Sequence, residues 1–74
     1  MKKLIDFLNQ LEKRKIYYKI GKVNENILVE IAVPGQRWEV EFDVNEQIQV
    51  EKFLSNGVIY DETELSNLFQ FFSD

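Results

Sequence analysis

The run Val33-Pro34-Gly35-Gln36-Arg37-Trp38-Glu39-Val40-Glu41-Phe42-Asp43-Val44 decides the fold. From Arg37 onward it alternates strictly. Trp38, Val40, Phe42 and Val44 fall on one side, and Arg37, Glu39, Glu41 and Asp43 on the other. A period of two marks a strand with one face in a core and one in water. Pro34-Gly35 in front of it is a turn pair, in which proline presets φ and glycine accepts φ > 0. Upstream of the turn, Ile27, Val29, Ile31 and Val33 alternate with Leu28, Glu30 and Ala32, so 27–33 is the preceding strand.

Faces then fix register, because a one-residue slip turns every side chain to the wrong side. Centring the hairpin on Pro34-Gly35 pairs Ile31 with Trp38, Val29 with Val40 and Ile27 with Phe42. The same register sets Glu30 against Glu39, Leu28 against Glu41 and Ala32 against Arg37.

Working outward on the N-terminal side, Ile16 to Lys22 is a strand with Ile16, Tyr18 and Ile20 on one face. Asn24-Glu25-Asn26 supplies turn residues that tolerate left-handed geometry. Matching faces sets Tyr18 against Ile31, Ile20 against Val29 and Lys19 against Glu30, an attractive pair. Before it, Leu4, Phe7, Leu8 and Leu11 repeat at helical spacing, which predicts a helix over 3–14. Lys13, Arg14 and Lys15 close it, where cations complement the carbonyl end of a helix.

On the C-terminal side, Asn45-Glu46-Gln47 turns the chain into a fourth strand, Ile48 to Leu54. A three-residue loop pairs Phe42 with Val50, Glu41 with Glu51 and Asp43 with Gln49. The apolar phase breaks at Lys52-Phe53-Leu54, which predicts a bulge or the strand end. Ser55-Asn56-Gly57 signals a turn, and Val58-Ile59-Tyr60 a short extended piece. Asp61-Glu62-Thr63-Glu64 has the capping-box spacing, and Leu65, Leu68, Phe69 and Phe72 repeat at helical spacing after it. The expected architecture is α+β in one domain, 1–74: helix, four-stranded antiparallel meander, helix. Both helices cover the Trp38 face and leave the other to solvent.

Composition narrows the chemistry. The 74 residues contain neither cysteine nor histidine. Disulfides, thiolate zinc sites, imidazole bases and the usual serine or cysteine triads are therefore unavailable. No apolar run is long enough for a signal peptide or a membrane span, which points to a cytoplasmic protein with no membrane partner. The net charge of −4 divides into +5 over residues 1–22 and −9 over residues 23–74. That asymmetry predicts one basic and one acidic region.

The acidic sheet face is the candidate site. Glu30, Glu39, Glu41, Asp43 and Glu51 fall within adjacent rows of one exposed surface, beside Tyr17. Opposed like charges weaken a sheet, so a sheet under no other demand prefers lysine opposite glutamate. The plain alternative is a solvated polar face that Lys19 and Arg37 partly neutralise. Paired carboxylates also serve glycoside hydrolysis, but only in a water-excluding cleft that an open sheet lacks. A divalent cation on Glu39, Glu41 and Asp43 would need side chains closer than alternate strand positions bring them. No cofactor is implied. Trp38 and the Phe69, Phe71 and Phe72 cluster belong to the core. Phe71 and Tyr17, with Leu28, also fit an exposed apolar spot beside the acids.

The strings Val33-Pro34-Gly35-x-Arg37-Trp38-Glu39-Val40-Glu41-Phe42, Ser55-Asn56-Gly57-x-Ile59-x-Asp61-Glu62 and Leu65-x-x-Leu68-Phe69-x-x-Phe72-Ser73 resemble a family of short bacterial proteins of unassigned activity. The family is frequent in cyanobacterial genomes. Its members often carry Asp-Gly in the third hairpin, where this chain has Asn45-Glu46. The resemblance implies a single cytoplasmic domain and brings no catalytic residues. Small acidic proteins of this kind are similar to immunity proteins that block toxin nucleases. The expected function is thus a non-enzymatic protein-binding domain of immunity or antitoxin type, with its acidic face toward a basic protein. Two alternatives stand beside it. One is a self-associating structural domain, a dimer through an exposed edge strand or through Tyr17 and Phe71, and the other a nucleic-acid binder through Lys13, Arg14, Lys15, Lys19 and Lys22; the chain is expected as a monomer or homodimer.

Overall fold

The computed structural model describes residues 1–53 and 59–72, apart from the side chains of Ile59, Phe71 and Phe72. The elements are α1 (Lys2–Lys13), β1 (Tyr18–Val23), β2 (Asn26–Val33), β3 (Gln36–Phe42), β4 (Ile48–Phe53), β5 (Ile59–Asp61), a 3-10 turn (Glu62–Glu64) and α2 (Leu65–Phe72). The fold is α+β. Its antiparallel sheet has five strands in the order β1-β2-β3-β4-β5, one more than the four expected. The added strand is the short extended piece, which pairs Val50 with Tyr60 and Glu51 with Ile59. The Ser55-Asn56-Gly57 turn lies outside the described residues.

The first two hairpins take the registers derived from faces. Lys19 opposes Glu30 and Ile20 opposes Val29, and across the next ladder Glu30 opposes Glu39 and Ile31 opposes Trp38. Gly35 adopts φ +78 at the second turn, a conformation costly to any residue with a Cβ. Asn24 holds φ 56 at the first.

The third hairpin differs by two residues. Phe42 opposes Ile48, Val40 opposes Val50 and Glu39 opposes Glu51, so Glu41 faces Gln49 rather than Glu51. The loop is therefore 43–47, five residues rather than three. Asp43 leaves the strand to build it. One of its carboxylate oxygens accepts from the amides of Asn45 (2.8 Å) and Gln47 (2.9 Å). Its own amide donates to the Gln47 carbonyl, and its carbonyl accepts from Glu46. Val44, expected in the core, is consequently exposed on this loop.

The core is one cluster. It holds Leu4, Phe7 and Leu11 of α1, Ile16, Val29, Ile31, Trp38, Val40, Phe42 and Val50 around the sheet, and Leu68 of α2. The Phe7 ring lies tilted against both Phe42 (5.7 Å) and Phe69 (5.8 Å). Ile20 was expected in the core and is exposed instead, because β1 is an outer strand.

The two ends of α1 are satisfied differently, the C-terminal one locally and the N-terminal one by a distant loop. Lys15 takes φ 59, the Lys15 amide donates to the Glu12 carbonyl and the Ile16 amide to that of Leu11. This is the Schellman arrangement, and it explains why Ile16 and Leu11 are buried together. Ile16 precedes β1 rather than opening it. At the other end, Met1 offers no side-chain cap. Glu46, from the β3–β4 loop, accepts from the Lys3 amide at 2.8 Å and lies 3.3 Å from the Met1 amino group.

Lys52 shows why the apolar phase of β4 seemed to break. The pairing runs on without a bulge, and Lys52 opposes Trp38 on the core face. Its ammonium lies 5.1 Å from the Trp38 ring centroid, 4.5 Å from that of Tyr60 and 2.6 Å from a Glu64 carboxylate oxygen. Glu64 therefore pairs with Lys52 instead of closing a capping box, while Asp61 accepts from the Thr63 amide as the N-cap. The Lys52 hydrogen bond holds the Glu64 carboxyl below the usual carboxylate range. The Thr63 hydroxyl and amide do the same for Asp61.

Candidate functional site

Position along the strands decides which side chains share the face opposite Trp38. Glu30, Glu39 and Glu51 are mutual Cα partners across β2, β3 and β4. They form a single row, with Lys19 of β1 at one end and Ile59 of β5 at the other. Directly opposite residues on one sheet face hold their Cβ atoms about 4.5–5.5 Å apart. Glu39 thus has a carboxylate neighbour on each side. The two-residue shift of the third hairpin produces this alignment. The expected Glu41–Glu51 pair would have placed the acids in two rows.

The adjacent row runs Gly21, Leu28, Glu41, Gln49, Asp61. Glu41 accepts from the Asn26 side-chain amide at 2.6 Å. Leu28, Glu39, Glu41, Gln49 and Glu51 line a shallow hollow in the middle of the face. Asp43, expected within the acidic rows, is a loop residue. It shares a second hollow with Asn26, Glu41 and Gln49 at the β3–β4 turn.

On the other flank, Tyr17 is 67% exposed and lines a third hollow with Lys19, Glu30, Ala32 and Arg37. Arg37 is the cation nearest the row's centre, 3.6 Å from a Glu39 carboxylate oxygen. Its guanidinium also lies 4.6 Å over the Phe53 ring. Phe53 belongs to this face because the β4 alternation continues through Lys52, and it is a surface aromatic that the sequence pattern did not reveal. Leu28 and Tyr17 do lie on the acidic face as expected. The Phe71 side chain lies outside the described residues.

The basic cluster is divided among different tasks. Arg14 donates to the Gln10 side chain and lies 4.8 Å over the Phe69 ring. Lys15 occupies the left-handed helix-end position. Lys19 joins the acidic face, and Lys22 opposes Ile27 on the other. Among the described residues, no three acidic side chains converge closely enough to hold a metal ion. Nor is any helix there long and apolar enough to cross a membrane.

The face offers hydrogen-bond acceptors in a line, carboxylate charge with one neighbouring guanidinium, and aromatic or aliphatic surface at Tyr17, Leu28 and Phe53. Such a surface attracts cationic groups and gives their aliphatic stems something to lie on. No family model matches the chain, and no curated protein or solved structure shows significant similarity to it.

Proposed function

We propose that this chain is a non-enzymatic protein-binding module of immunity or antitoxin type, whose acidic sheet face receives a basic protein. The observation that carries the reading is the unbroken Glu30–Glu39–Glu51 row through the three central strands. Opposed carboxylates cost stability that a lysine in the middle strand would recover. Retaining them serves an electrostatic surface better than it serves the sheet. Both helices lie on the Trp38 face, so the row meets the partner without rearrangement of the core. Complementary charge speeds association and makes it sensitive to salt.

The test is affinity capture at low and high salt, comparing the wild type with the triple variant Glu39→Lys, Glu41→Lys, Glu51→Lys. A basic protein retained by the wild type, released by salt and absent from the variant supports the reading. Recovery that is the same in the variant overturns it.

A further inference from the structure

Among the described residues β1 is an outer strand of the sheet, hydrogen-bonded to β2 alone, and five of its six residues are exposed. Three apolar side chains on it or just before it face water: Tyr17, which precedes the strand, Ile20 (53% exposed) and Val23 (40%). Gly21 sits among them without a reason in the single chain. A Cβ there would meet no atom within 4 Å, and its φ lies outside the left-handed region. Glycine weakens a strand interior.

We propose that a second copy of this chain adds to the β1 edge, antiparallel and centred on Ile20, continuing the sheet across a twofold axis. The strand is complementary to itself in this register. Ile20 meets the partner's Ile20, Lys19 meets the partner's Gly21, Tyr18 meets the partner's Lys22, and Tyr17 meets the partner's Val23. Each exposed apolar side chain gains an apolar neighbour, and no lysine faces a lysine. Neighbouring registers fail. Centring on Gly21 sets Ile20 against Lys22 and Lys19 against Val23, and centring on Lys19 opposes the two Lys19 ammoniums. Lysines on an edge normally discourage pairing. Here the one lysine of the acidic face is opposed by a residue with no side chain. The acidic rows of the two copies lie on the same side of the joined sheet, and the pairing stands whether or not those rows bind a basic protein.

Sedimentation equilibrium of the full chain tests this, with Gly21→Lys and Gly21→Glu as paired variants. Neither disturbs the monomer, because the Cβ position is open; circular dichroism verifies that. By symmetry Gly21→Lys sets a lysine opposite each copy's Lys19, and Gly21→Glu sets a glutamate there. Two cross-strand pairs shift the dimer dissociation constant by roughly 2- to 30-fold, upward for the lysine variant and downward for the glutamate variant. Net charge alone predicts the reverse order, since the chain carries −4 and the lysine variant reduces it. A wild type that stays monomeric at every concentration overturns the proposal. So does a dimer whose constant is equal in the two variants or ordered by net charge.

Discussion

Glu39→Gln isolates the cost of the acidic row. Glu39 opposes Glu30 on β2 and Glu51 on β4, so one substitution relieves two like-charge contacts and keeps the side chain's size. Taking each opposition at about 0.3 kcal/mol, the low part of the cross-strand range, gives about 0.6 kcal/mol recovered. The variant also loses the Arg37 pair. That pair is 3.6 Å long with the Arg37 side chain 55% exposed, and such pairs contribute about 0.2 kcal/mol at the low end. The net gain is about 0.4 kcal/mol, or a rise in Tm of about 2–3 °C for a domain of this size. Thermal melts followed by circular dichroism read it directly. Salt supplies the control, because the Debye length falls from about 10 Å at 0.1 M to about 3 Å at 1 M, below the spacing of the opposed carboxylates. The gap between variant and wild type should therefore narrow as salt is added. A variant that melts below the wild type, or a gap indifferent to salt, would refute the view that the row costs stability.

Lys52→Ala removes the ammonium held between Trp38, Tyr60 and Glu64 and leaves Glu64 in a half-buried position without its cation. The expected loss is about 1–3 kcal/mol, with Trp38 emission shifted to the red; an unchanged urea midpoint would contradict it. The depressed Glu64 and Asp61 carboxyls make stability depend on pH. Because their folded values lie below the unfolded ones, this contribution is complete above the ordinary carboxylate range and is lost as pH falls through the lowered values. Acid titration of the wild type against Glu64→Gln should show a shallower fall in the variant, and parallel curves would remove Glu64 from the explanation. Leu11→Ala empties a fully buried site. Its expected cost of about 2–5 kcal/mol rivals the net stability of so small a core, so the chain should unfold in dilute urea or fail to fold. A midpoint near that of the wild type would show that the core closes over the gap.

What could be read from the sequence depended on how tightly each turn was specified. Pro34-Gly35 and the alternation around it leave one register for β2 and β3, and Lys19 opposite Glu30 settles β1. The third hairpin is different. A shift of two residues keeps every side chain on its face, so alternation cannot tell a three-residue loop from a five-residue one. Asp43 decides between them by capping the loop's amides, a role its residue type permits but a strand pattern hides. Lys52 misled for the opposite reason. A charge on the core face reads as the end of a strand, and Trp38, Tyr60 and Glu64, all on other elements, make the position tolerable. The α1 cap is equally nonlocal, since its acceptor Glu46 lies on the β3–β4 loop. Of the candidate residues, Glu30, Glu39, Glu41, Glu51 and Tyr17 share one face as read, Asp43 belongs to the loop beside it, and Phe53 joins the face unforeseen.

The acidic face is tested most directly by the amide-shift footprint of a lysine-rich peptide titrated into the isotope-labelled chain. Shifts centred on Glu30, Glu39 and Glu51, weakened by salt and abolished by Glu39→Lys with Glu51→Lys, are the expected result. Shifts centred instead on the α1 C-terminus or β1, or a footprint that survives the double substitution, would contradict it.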